Sequence, residues 1–100
     1  MPELTPPSAA DARRVRVLVS GDVQGVGFRW SARAEAVERG LAGWVRNRPD
    51  GRVEAVFEGP PEEVDAMVSW CRIGPRWATV QEVSVVEEAP GGESGFQIVR

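Results

Sequence analysis

Nine consecutive residues, Gly21-Asp22-Val23-Gln24-Gly25-Val26-Gly27-Phe28-Arg29, bring three glycines and an arginine into one short segment. Glycine has no Cβ and adopts positive φ, so neighbouring backbone N–H groups can converge on a single point. The segment runs into a helix pattern, and the first N–H groups of a helix are unpaired and carry partial positive charge. Arg29 adds a planar guanidinium that can grip two oxygens of a phosphate. The combination reads as an anion cradle, with the amides of Gln24, Gly25, Val26, Gly27 and Phe28 around the anion and Arg29 at its edge. A helix dipole opposes a cation at its start, and that local cost is itself a pointer to function at Arg29.

Other chemistries are excluded by composition. The 100 residues contain no histidine, which removes the usual neutral-pH base and every His-dependent triad. A single cysteine, Cys71, can form neither an internal disulfide nor a thiolate metal site. No metal and no cofactor are expected. The net charge of −3 and pI near 5.0 give no long-range attraction to nucleic acid or an anionic membrane, so any positive field is local. Base stacking on a sheet would also need an aromatic, basic strand that this chain lacks. The first twelve residues hold Glu3, Asp11 and three prolines without an apolar core, unlike a signal peptide. A cytoplasmic protein is expected, and a monomer, since no long exposed apolar helix calls for a partner.

The elements that must position the cradle follow from periodicity. Residues 1–12 are Pro-, Ala- and Ser-rich and read as a flexible tail, leaving residues 13–100 as one domain. Val15, Val17 and Val19 alternate on one face of a strand that leads into the glycine-rich loop. From Arg29 to Arg39 nothing breaks a helix, and Gly40 stops it. Its apolar stripe is thin: Trp30, Ala34 and Val37 fit one face, Ala32 and Ala36 another, and periodicity does not choose between them. Leu41–Asn47 and Gly51–Glu58 are two strand patterns joined through Pro49-Asp50-Gly51, a strong turn signal for a hairpin. Pro61-Glu62-Glu63 opens a second helix, along which Val64, Met67, Val68 and Cys71 form one apolar face. Val80, Val83 and Val85 mark a further strand, with Val86 breaking the alternation, and Phe96–Val99 a short last one. The order βαββαβ with a short extra C-terminal strand predicts an α+β, ferredoxin-like sandwich: two helices on one face of a mostly antiparallel sheet.

Two segments of this chain resemble the acylphosphatase family. Gly21 to Arg29 matches its pattern Gly-x-Val-Gln-Gly-Val-x-Phe-Arg. Gly43-Trp44-Val45-Arg46-Asn47, with Gly51, Val53 and Gly59 beyond it, matches a second. Gly74 to Val80 and Phe96 to Arg100 also look familial, so the resemblance spans about residues 13–100. It implies the ferredoxin-like fold and hydrolysis of small acyl phosphates to a carboxylate and inorganic phosphate, with no metal or cofactor. It also implies the catalytic pair: Arg29 as the phosphate-binding arginine and Asn47 as the asparagine that orients the attacking water.

The chemistry is consistent with this composition. The leaving group is a carboxylate, whose departure needs no general acid, so the missing histidine is no obstacle. Phosphoryl transfer relies on positioning and on stabilising charge at the equatorial oxygens. No protein base is evident for the water, and a phosphate oxygen is expected to take its proton. Phosphate binding without turnover, as a non-catalytic anion-binding module of the same fold, is the alternative. Taken alone, Asn47 could merely initiate the Pro-Asp-Gly turn. Trp44, Trp70 and Trp77 read as core or rim packing, Phe28 and Trp30 as packing beside the loop, and Cys71 as a small buried hydrophobe. Arg46, Arg48 and Arg52 read as solvated hairpin residues. The resemblance puts Gly27 at the family's variable position, often filled by a larger aromatic residue, which implies a wider pocket or a looser loop.

Overall fold

The computed structural model describes residues 12–100, so the tail expected over residues 1–12 lies, apart from Ala12, outside the described residues. Seven elements follow one another: β1 (Arg13–Asp22), α1 (Phe28–Glu38), β2 (Ala42–Asn47), β3 (Val53–Gly59), α2 (Pro61–Ile73), β4 (Thr79–Glu88) and β5 (Phe96–Ile98). The sheet order is β4-β1-β3-β2-β5. All neighbours are antiparallel except β2 and β5, which run parallel. Both helices cover one face, as the βαββαβ order requires.

Alternation fixes that face. Val15, Val17 and Val19 of β1 and Val53, Ala55 and Phe57 of β3 are buried beneath Ala32 and Ala36 of α1 and Val64, Met67 and Cys71 of α2. The open choice of stripe on α1 is thereby settled: Phe28, Ala32 and Ala36 point inward, while Trp30 is 68% and Val37 55% exposed. Small alanines let α1 lie close to the sheet, and the larger apolar residues are left to solvent. Burial pushes the Cys71 thiol up to about 12, in keeping with a buried hydrophobe rather than a nucleophile.

The irregular valines of β4 have a structural cause. Pairing with β1 shifts register between Ser20 and Gly21, so that Glu82 faces Ser20 but Val80 faces Gly21. The extra residue, Gln81, restores Val80 to the face of Val83 and Val85, and all three pack on the core. Gly21 is required there, with φ +124°, because a Cβ would fall 2.2 Å from the Thr79 carbonyl oxygen.

The opposite face of the sheet is polar and closely paired. Glu54 of β3 is 4% exposed and accepts from Arg16, Arg46 (2.7 Å) and Arg48 (3.5 Å). Glu58 accepts from Arg14 (3.1 Å) and from the N–H groups of Gly91, Gly92 and Glu93. These bonds fold the β4–β5 connection back over the sheet. The guanidinium groups of Arg16 and Arg46 lie over the Trp44 ring, at 5.4 and 6.0 Å from its centroid. The hairpin arginines are therefore not free solvated charges: Arg46 and Arg48 neutralise Glu54, and Arg52 binds Asp50 at 2.8 Å.

Candidate active site

The glycine-rich segment forms the connection between β1 and α1, and the core fixes both ends of it. Val23 and Phe28 are buried, and the Phe28 ring meets Trp70 edge-on at 5.5 Å. Between them the backbone turns through Gly25 (φ +75°) and Gly27 (φ +77°), the latter serving as N-cap of α1. A Cβ at either position would meet nothing within 4 Å. The need for glycine at position 27 is thus conformational, a left-handed backbone, and not a matter of room for a neighbour.

Those two reversals leave the loop N–H groups without partners. Among the described residues, no N–H from Gln24 to Phe28 donates to a protein acceptor, and the first such bond in α1 is Ser31 N–H to Gly27 O at 3.0 Å. The expected cradle residues Gln24, Gly25, Val26, Gly27 and Phe28 are therefore brought together with their amides unspent. Arg29, the second residue of α1, is half-buried and forms no ion pair among the described residues, in contrast to Arg13, Arg14 and Arg16 of the neighbouring strand. A free guanidinium beside unpaired amides is a strong local anion attractant in a chain of net negative charge.

Asn47 ends β2 and faces Val53 of β3. It shares the helix-covered face with Val45, two residues earlier, whereas Arg46 points to the other face. Its Oδ1 is buried and has no hydrogen-bond partner. Burying an acceptor without a partner costs about 1–3 kcal/mol, so the residue is held in a conformation that its immediate surroundings do not reward. Turn initiation is not its role, because the tight hairpin contacts fall to its successors: Gly51 N–H donates to Arg48 O, and Arg48 N–H to Arg52 O.

The tie between loop and hairpin comes from a group whose side chain was not singled out in the sequence. The Gln24 amide nitrogen donates to the carbonyl oxygens of both Arg48 (2.8 Å) and Arg52 (2.9 Å). One side chain thus fastens the cradle loop to the residue following Asn47. A polar residue between two glycine-rich turns was the only signal for it. The tryptophans distribute differently from the expectation: Trp70 packs, whereas Trp30 and Trp77 stand in solvent, the latter 72% exposed beneath Arg76. Among the described residues no cluster of three or more His, Cys, Asp or Glu is placed to hold a metal ion.

The fold is a ferredoxin-like α+β domain whose β1–α1 loop carries unspent amides and an arginine without an ion pair among the described residues, an arrangement able to take a small anion. Residues 15–98 match the acylphosphatase family model. An acylphosphatase of Trichormus variabilis is 55% identical over the whole chain and 97% of its own length. Among solved structures, an acylphosphatase from Coxiella burnetii superposes with a TM-score of 0.87 at 37% identity, covering 90% of this chain and 95% of that one. One from Bacillus subtilis superposes with a TM-score of 0.85 at 43% identity, covering 88% and 99%. The chain belongs to the acylphosphatase family.

Proposed function

We propose that residues 13–100 act as one catalytic domain that hydrolyses the carboxyl–phosphate bond of small acyl phosphates without a metal or cofactor. The observation that carries this reading is the buried, unpartnered Oδ1 of Asn47 on a hairpin tied by Gln24 to a loop of free amides. The phosphoryl oxygens sit against the N–H groups of Gln24 to Phe28, and Arg29 supplies the charged fork. Asn47 Oδ1 accepts a hydrogen from a water and aims its oxygen at phosphorus. The new O–P bond forms as the P–O bond to the acyl group breaks, and the electron pair leaves on the carboxylate. One water proton passes to a phosphate oxygen, so the products are carboxylate and inorganic phosphate. Fixed donors around the equatorial oxygens stabilise the charge of this transition state.

Among the described residues no helix is long and apolar enough to cross a membrane. The single cysteine and the net charge of −3 support a cytoplasmic protein whose partners are acyl phosphate and phosphate rather than nucleic acid or an anionic membrane, and we read it as a monomer.

Hydrolysis of benzoyl phosphate by the purified protein in EDTA, with Asn47→Ala beside it, tests the proposal. Rapid turnover in EDTA that is lost in the variant supports it. Phosphate binding by a folded protein without turnover would leave the non-catalytic anion-binding module instead.

A further inference from the structure

Arg29 and Arg33 lie one helical turn apart, about 6 Å along α1, and beyond Arg29 the helix borders an open groove. The groove has a volume of about 460 Å³ and is lined by Trp30, Arg33, Phe96, Gln97 and Ile98. Phe96 is buried at its floor, and Trp30, the residue after Arg29, presents an indole that is 68% exposed. The strand side leads to the same place. Ile98 is level with Val45 of β2, and Val99 N–H donates to Val45 O at 2.9 Å, so β5 runs towards the Asn47 end of its parallel neighbour. The groove therefore opens beside α1 just after Arg29 and beside β5, whose parallel neighbour carries Asn47 two residues beyond Val45.

We propose that this groove receives the acyl half of the substrate, with Trp30 and Ile98 against its apolar part and Arg33 meeting an anionic group at its far end. The proposal rests on the acyl phosphate reading above and extends it to a substrate class: extended or aromatic acyl phosphates with a distal carboxylate, in preference to acetyl phosphate. Three observations favour this occupant. The indole is 68% exposed and shares the groove with Ile98, and an exposed aromatic at a concave apolar surface is what a ligand covers. Arg33 Nε donates to Phe96 O at 3.2 Å, which fixes the guanidinium over the groove. Its terminal nitrogens have no partner among the described residues and so match a carboxylate. Arg33 is exposed to solvent, so its contribution is a selectivity of a few fold and not an anchor.

The test compares kcat/KM for acetyl phosphate, benzoyl phosphate and para-carboxybenzoyl phosphate in the wild type and in Trp30→Ala, Arg33→Gln and Arg33→Lys. Trp30→Ala is expected to lower the benzoyl-to-acetyl ratio about tenfold, mainly through KM, as loss of an apolar pocket wall does. Arg33→Gln is expected to lower the para-carboxybenzoyl-to-benzoyl ratio about threefold, with partial recovery in Arg33→Lys. Thermal melts confirm that each variant is folded, which exposed positions permit. Ratios unchanged in these variants, with turnover of all three substrates intact, would overturn the groove assignment alone. Absence of turnover in the wild type would overturn the hydrolase reading and the groove with it.

Discussion

Gln24 lies in the β1–α1 loop and Arg48 in the β2–β3 turn, yet the Gln24 amide donates to the Arg48 carbonyl oxygen at 2.8 Å and shares the same nitrogen with Arg52 O at 2.9 Å. The loop that offers free amides and the strand end that offers Asn47 are thereby one mechanical unit. Two bonds to backbone carbonyls, each worth about 1 kcal/mol net, hold that alignment.

Gln24→Ala is expected to lower stability by only about 1–2 kcal/mol but kcat/KM by roughly ten- to a hundredfold, because catalysis is sensitive to sub-ångström misplacement. Gln24→Glu is expected to be the worse of the two, since an ionised carboxylate facing two carbonyl oxygens has nothing to donate. Urea denaturation beside steady-state kinetics separates the two effects. Equal turnover in wild type and Gln24→Ala would mean that the loop keeps its place without the hairpin.

Arg29 and Asn47 are expected to fail in different ways. Arg29→Ala removes the charged fork and should lower kcat/KM by about a hundredfold or more while weakening inhibition by inorganic phosphate. Asn47→Ala should lower kcat by a similar order and leave phosphate inhibition in place, because only the water loses its guide. Inhibition constants for phosphate in both variants decide the division of roles. Weakened phosphate binding with intact turnover in Asn47→Ala would reverse it.

The parts of this architecture that were legible in the sequence are those set by local rules. Alternating valines in β1, the Pro49-Asp50-Gly51 turn and the Pro61-Glu62-Glu63 helix start each depend on neighbours in the chain, and each element formed where its pattern lies. The stripe of α1 was not legible, because its choice between alanines and Trp30 depends on how near the sheet comes. That Val80 shares a face with Val83 and Val85 despite the odd spacing was not explicable from the chain alone, because the bulge that allows it depends on pairing with Gly21 in another strand. The loop glycines and Arg29 pointed to the proposed anion site by type and spacing. Asn47 gave no such signal by itself, and the reach of Gln24 across to the hairpin is a tertiary fact. Arg46 and Arg48 looked like solvated charges because Glu54, their partner, alternates with apolar residues in the central strand.

The polar face of the sheet predicts a pH dependence of stability. Burial pushes the Glu54 carboxyl up, but hydrogen bonds from Arg46 and Arg16 outweigh it and hold it below the ordinary glutamate value. Glu88 is likewise held down by Arg16 and Arg14. A depressed folded-state value favours the folded protein wherever the unfolded group would be ionised. The stabilisation is therefore complete above the ordinary glutamate value and is lost as pH falls through the lower folded value. Glu54→Gln leaves Arg16 and Arg46 without their shared charge and is expected to cost about 3 kcal/mol near neutral pH. The gap between variant and wild type should narrow in urea melts as the pH is taken below ~4.3. A gap constant down to ~pH 3 would show that the loss is packing and not charge.

Gly43 and Gly27 both have positive φ, +136° and +77°, yet they answer to different constraints and should fail differently. Gly43 lies between Phe57 and Phe96 in register across three strands, and the two rings stack over it at 5.6 Å with 12° between their planes. A Cβ there would fall 1.9 Å from the Val56 carbonyl oxygen, backbone that cannot yield without breaking the β2–β3 ladder. Gly43→Ala is therefore expected to lose at least about 3 kcal/mol, beyond the usual range for one substitution, or to give no folded protein. At Gly27 a Cβ meets nothing within 4 Å, so only the left-handed conformation is at stake. Gly27→Ala should cost about 1–2 kcal/mol, and Gly27→Asn less, because asparagine tolerates that region. Since this residue sets the turn that presents the loop amides, Gly27→Ala should lose more activity than Gly27→Asn while both remain folded. Melting temperatures and kcat for the three variants test the argument. Equal damage at the two glycines would mean that the loop is as tightly enclosed as the sheet, contrary to the open space around Gly27.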